Sequence, residues 1–178
     1  MDKRKEANIR VKKNITETLF SLMKKKNISD ITVTEIIRES GVARASFYRN
    51  YTSKEDVLFT LIRDILKQFR EEADYNLEEY FSYRHILRCF QYFKRYGEYL
   101  IDLYQSGFGT SLLEELNQFH ESIAGTMKAH STTRYHLYMF MGALYNTVIV
   151  WLMSGEKEPA EEIAAFFYRE INKVRKET

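Results

Sequence analysis

The stretch GVARASFYRNYTSKE, Gly41 to Glu55, gathers two arginines, a lysine, an asparagine, several hydroxyls and two tyrosines into one short segment. Those are groups that hold phosphates and base edges. A guanidinium pairs bidentately with guanine and a side-chain amide with adenine. Hydroxyls, ammonium groups and the N–H groups at a helix start hold phosphate oxygens. No chemistry of the catalytic kind accompanies them. The chain has no Gly-rich phosphate loop, no Ser-His-Asp ordering, no paired-carboxylate motif and no metal motif, so an enzyme is not expected. Cys89, the one cysteine, sits among Leu87 and Phe90, where packing inside is the expectation, although Arg88 beside it keeps a reactive thiol as the alternative. Four histidines (85, 120, 130 and 136) form no close helix-borne pair with a carboxylate, so neither a metal nor a cofactor is expected.

A segment of this kind needs elements to aim it. Gly is scarce, there is one Pro, and apolar residues recur at three and four, which predicts an all-α chain of about nine helices. Ile15, Leu19, Leu22 and Met23 make one stripe of a first helix. TVTEIIRES opens with threonines able to cap, carries Glu35 in its first turn and stops at Gly41. ARASFYRNY is a short third helix. A long fourth helix, TSKEDVLFTLIRDILKQFREEA, has Ser53 as N-cap, Glu55 and Asp56 in its first turn, and Val57, Leu61, Ile65 and Phe69 on one face. Further helices are expected near 82–96, 97–106, 110–129, 132–154 and 159–176, with Pro159 in the first turn of the last. The expected division is 1–55, a three-helix helix-turn-helix module, and 56–178, a helical bundle, with the fourth helix shared by both halves.

Two short helices joined at a glycine form the layout of a helix-turn-helix. Ile36, Ile37, Val42 and Phe47 are expected to bury between them. Arg44, Ala45, Ser46, Tyr48, Arg49 and Asn50 then line the outer side, where such a helix enters a major groove. Ala45 serves by its smallness, letting the backbone approach. The same spacing also suits helix pairs that bind no DNA. Charge leans toward the first reading: residues 1–60 carry 13 Lys/Arg against 8 Asp/Glu, and residues 61–178 carry 14 against 17.

ITVTEIIRESGVARASFYRNYTSKEDVL resembles the N-terminal module of TetR/AcrR-type transcriptional regulators. Thr32, Thr34, Gly41, Val42, Phe47, Tyr48, Tyr51, Ser53, Lys54 and Glu55 carry the likeness, which covers residues 9–60. The usual Phe after the recognition helix is Tyr51 here, and the frequent Ser or Thr at its start is Ala43. The resemblance implies a homodimer on a palindromic double-stranded DNA operator. It implies DNA contacts from Thr32, Thr34, Arg44, Ala45, Ser46, Tyr48, Arg49, Asn50 and Lys54. Arg44 and Asn50 are expected at bases, and Thr34, Tyr48 and Lys54 at phosphates. Phe47 and Tyr51 are expected in the core.

YMFMGALYNTVIVWLMSGEKEPAEEIAAFF resembles a subgroup with a Gly-to-Trp helix and a Pro-led last helix, on Gly142, Trp151, Gly155 and Pro159. That likeness implies dimer contacts from Tyr138, Gly142, Tyr145, Ile149, Phe166 and Phe167, with an intramolecular core as the other reading. Tyr92, Phe93, Tyr96, Phe119 and Tyr135 suit either a pocket for a small apolar or aromatic ligand or a packed core. The expected function is therefore a cytoplasmic repressor released by a small-molecule inducer. The alternative is a DNA-binding regulator whose bundle docks a protein or only dimerises. No stretch of about 18 apolar residues is continuous, and the charged start MDKRKEANIRVKKN lacks the apolar run of a secretory signal, so no membrane span is expected.

Overall fold

A computed structural model of the chain describes residues 3–72, 79–124 and 132–176. Among them the regular structure is helical and no strand occurs: α1 (Lys3–Met23), a 3-10 turn (Ile28–Asp30), α2 (Val33–Ser40), α3 (Arg44–Asn50), α4 (Lys54–Glu72), α5 (Tyr83–Lys94), α6 (Gly97–Leu103), a π turn (Tyr104–Phe108), α7 (Gly109–Ala124), α8 (Thr132–Met153) and α9 (Ala160–Lys176). The chain divides into two compact units between Ile65 and Leu66.

In the first unit α1 packs on α2 and α3. Its apolar stripe buries Ile15, Leu19 and Leu22, and leaves Met23 partly exposed. Ile36, Phe47, Val57 and Leu58 are fully buried, and Val42 nearly so. Ile37 stays half-exposed. The caps follow the sequence. The Thr32 hydroxyl accepts from the Glu35 N–H at 3.1 Å, and Gly41 ends α2 in the left-handed region at φ 65°. At the start of α4 the Asp56 N–H donates to Ser53 Oγ at 3.2 Å, while the Thr52 N–H donates back to the Asp56 carboxylate at 2.8 Å.

In the second unit α5 lies along α9, and α8 packs on α5, α6 and α7. Tyr80, Phe90, Phe140 and Phe167 form an aromatic core with ring centroids 5.1–6.1 Å apart between neighbours. Trp151, Gly155 and Pro159 shape the connection from α8 to α9. Trp151 is buried and its indole N–H donates to the Glu158 carbonyl at 2.9 Å, tying α8 to the turn that follows. Gly155 makes that turn at φ 81°. Pro159 stands just ahead of the last helix, and its carbonyl accepts the first N–H bonds, from Glu162 and Ile163.

One helix bears on the membrane expectation. Arg134–Met153 has the length and hydropathy to cross a membrane. Scattered polar residues such as Asn146 and Thr147 break any continuous apolar run without lowering the average enough. Nearly half of that stretch is buried against its own unit, as in a core helix.

Candidate nucleic-acid interface

The α2–turn–α3 unit is built by opposed demands on one short helix. Phe47 is wholly buried and meets Tyr48 edge-on and Tyr51 at 5.9 Å, so α3 is pinned through its inner side. Thr34, Arg44, Ala45, Tyr48 and Arg49 are exposed, and Ser46 is half-buried. The Arg44 guanidinium lies 5.4 Å from the Tyr48 ring centroid, a cation–π contact that limits its wandering. Ala43 stands at the N-cap and makes no side-chain cap, so the first N–H groups of α3 are left without one.

Three of the expected contact residues already have partners. Thr32 spends its hydroxyl on the cap of α2. The Asn50 amide donates to the Ser46 carbonyl one turn back, at 2.9 Å. Lys54 points inward: its ammonium donates to the carbonyls of Ile28 at 2.5 Å, Ile31 at 2.7 Å and Ser29 at 3.2 Å. That uses all three of its donors to close the 3-10 turn onto α4. No sequence signal marks this role, because the acceptors are backbone carbonyls more than twenty residues away. The Asp56 carboxylate sits over the start of α4, where a phosphate would otherwise be drawn.

Tyr51 is core, as expected. It is 3% exposed, and burial raises its phenol above the ordinary range, against the bond from Thr16 that lowers it. The ammonium of Lys12 lies 6.0 Å from its ring centroid. In the same unit, a 2.6 Å bond from Lys26 holds the Glu35 carboxyl below its usual value.

In the second unit the expected pocket residues separate. Tyr92 and Phe93 are buried and close on Phe69 at 4.8 and 5.6 Å. Phe119 reaches the same ring at 6.5 Å, and Tyr96 donates its hydroxyl to Gln68 at 2.9 Å. Tyr135 is 59% exposed and stands outside that group. The expected dimer residues separate too. Tyr145, Ile149 and Phe167 are buried in their own unit, and the Tyr145 hydroxyl donates to the Gly109 carbonyl at 2.8 Å. Tyr138 is half-buried and donates to Glu121. Gly142 is half-buried, and Phe166 is exposed under Arg169. Helical spacing instead lines up Tyr135, Met139, Gly142, Val150 and Met153 as the outer stripe of α8.

Buried α3 anchor, left-handed glycine turn and exposed Arg/Tyr side together define a helix-turn-helix unit, and a helical bundle follows it in the chain. Residues 15–61 match the family model described as bacterial regulatory proteins, tetR family. The fold extends the likeness along the chain. A TetR transcriptional regulator from Streptococcus agalactiae 2603V superposes with a TM-score of 0.64 at 20% identity, over 94% of this chain and 97% of that one. The fatty acid degradation regulator FadR from Bacillus halodurans gives 0.59 at 16% identity, over 89% and 96%. The dihydroxyacetone kinase operon activator DhaS gives 0.57 at 13%, over 92% and 95%. No curated protein matches the sequence.

Proposed function

We propose that this chain is a sequence-specific DNA-binding transcriptional regulator of the TetR type, acting as a homodimer on a palindromic operator. The observation that carries the reading is α3: a seven-residue helix held by a fully buried Phe47 while Arg44, Ala45, Tyr48 and Arg49 stay outside. Arg44 is the base reader, and Tyr48, Arg49 and Thr34 hold phosphates. Lys54 supports the module from within.

Repression is the expected direction, by occupancy of a promoter, although a fold neighbour is described as an operon activator. A small-molecule inducer works on this scheme only by binding more tightly to the dimer whose recognition helices are wrongly spaced for the operator. The alternative, a bundle that only dimerises or docks a protein, is favoured by a specific observation. Tyr92, Phe93 and Phe119 close on Phe69, whereas Tyr135, Met139, Val150, Met153 and Phe166 face solvent. The α8 stripe and Phe166 are the dimer contacts on this reading.

The test is selection of binding sites from random duplex DNA at near-physiological salt. One palindromic motif is the expected result. Salt-sensitive binding with no motif would refute sequence reading by α3. For the dimer, Val150→Glu is expected to halve the mass measured by sedimentation. An unchanged mass would move the interface elsewhere.

A further inference from the structure

The first turns of α1 do nothing for the core. Lys3 through Arg10 are all exposed, and the first buried residue is Ile15. Residues 3–13 carry six basic side chains, Lys3, Arg4, Lys5, Arg10, Lys12 and Lys13, against the single carboxylate of Glu6. The segment is helical because Lys, Arg, Glu and Ala are good helix formers, not because an apolar face is covered. At 1.5 Å per residue, the eight exposed residues extend about 12 Å beyond the packed part of the helix.

A basic helix end is ordinarily a solvated surface. This one differs in where it is rooted. Lys12 lies over the Tyr51 ring at 6.0 Å, and the Thr16 hydroxyl is bonded to the Tyr51 phenol. Tyr51 is the residue at which α3 ends. The arm therefore leaves the module from beside the C-terminal end of the helix assigned to the major groove. Lys5 and Lys12 are seven residues apart, nearly two full turns, so they share the stripe that faces Tyr51 and stand about 10 Å apart along it. Duplex DNA carries a negative charge every 1.7 Å or so of its axis, a partner with complementary charge at that end of α3.

We propose that the Lys3–Lys13 arm of α1 is a second DNA contact, lying along the phosphate backbone that flanks the bases under α3 and adding affinity without sequence preference. The proposal rests on the DNA-binding reading above, and the experiment separates the two. Lys5→Gln/Lys13→Gln, two exposed positions within about 80° of one another around the helix, keeps the helix and leaves every buried residue in place. Binding of wild type and variant is measured by fluorescence anisotropy on a selected-motif duplex with long flanks and on a scrambled duplex, between 50 and 200 mM salt. Each phosphate contact contributes about 0.9 to the slope of log affinity against log salt. Two contacts in each protomer would lower it by about 1.8, so the wild type loses about 12-fold more affinity per protomer over that range. The variant is expected to show this flatter slope on both duplexes, with unchanged base preference and an unchanged melting temperature. An unchanged slope in the variant would overturn the arm contact. So would a loss seen only on vesicles of anionic lipid, which would make the arm a membrane contact. If wild type binds no duplex, the α3 reading fails along with it.

Discussion

Arg44 and Lys54 look interchangeable as positive charges, and the structure gives them opposite tasks. Arg44 is exposed, with its guanidinium steadied on Tyr48. Arg44→Ala is expected to weaken binding to the selected motif by about 1–3 kcal/mol and to relax preference at one base position. A competition assay against single-base variants of the motif checks it. Lys54 has a side chain only 17% exposed, with its ammonium on three carbonyls. Lys54→Met keeps the stem and orphans those acceptors, so the expected effect is a stability loss of about 1–3 kcal/mol. Denaturant unfolding measures it. Weaker DNA binding in that variant should track its unfolded fraction and should not change the salt slope of the folded protein.

At the scale of elements, much was legible and the misses have a common cause. Helix starts at Thr32 and Ser53 and the stop at Gly41 announce themselves because capping is local chemistry, read within four residues. The inner face of α1 was legible for the same reason, through Ile15 and Leu19, and that of α4 in part: the 3.6 repeat picks out Val57, Ile65 and Phe69, but Leu61 stays half-exposed while Leu58, Ile62 and Leu66 are buried. Which face of α8 looks outward was not. Its residues are apolar nearly all round, so periodicity cannot separate Tyr145 and Ile149, which are buried, from Val150 and Met153, which are exposed. Long-range partners were equally hidden, as with Lys54 and with the Tyr145 hydroxyl on the Gly109 carbonyl at 2.8 Å. At Gly109 an added Cβ would stand 3.1 Å from that hydroxyl, so α7 starts hard against α8. Tyr145→Phe keeps the ring and removes the bond. Its expected cost is about 1 kcal/mol, seen in thermal unfolding of the bundle.

At the scale of the molecule, buried ionisable groups set how stability follows pH. His85 stacks on Tyr80, and His120 is hydrogen-bonded to the Tyr80 hydroxyl, which lies 3.4 Å from Met141 Sδ. Burial lowers His85 to about 4, helped by Arg88, and lowers His120 to about 3, helped by His85. Both rings are neutral in the fold and bind protons when unfolded near pH 6.5. Their contribution is thus complete above that value and is lost as pH falls toward 4 and 3. Each ring should cost about 1.4 kcal/mol per pH unit within its window. Trp151, the sole tryptophan, sits in the same unit, so its fluorescence during urea titrations at several pH values reports the slope. A stability independent of pH between 6.5 and 4 would show that both rings are solvated. His120→Phe should shallow the slope by the share of one ring.

The thiol of Cys89 lies in that same region, 2% exposed and 3.5 Å from the His85 ring, with its ionisation pushed far up by burial. It is the chain's only cysteine. An aromatic disulfide reagent can reach it only when α5 comes away from α8 and α9, because the attacking species is the thiolate. The colour released by such a reagent is therefore an internal stopwatch for opening of the bundle, needing no engineered label. Its rate, followed as DNA, salt or a library of small molecules is added, converts breathing of the helices into a count of who slows them down.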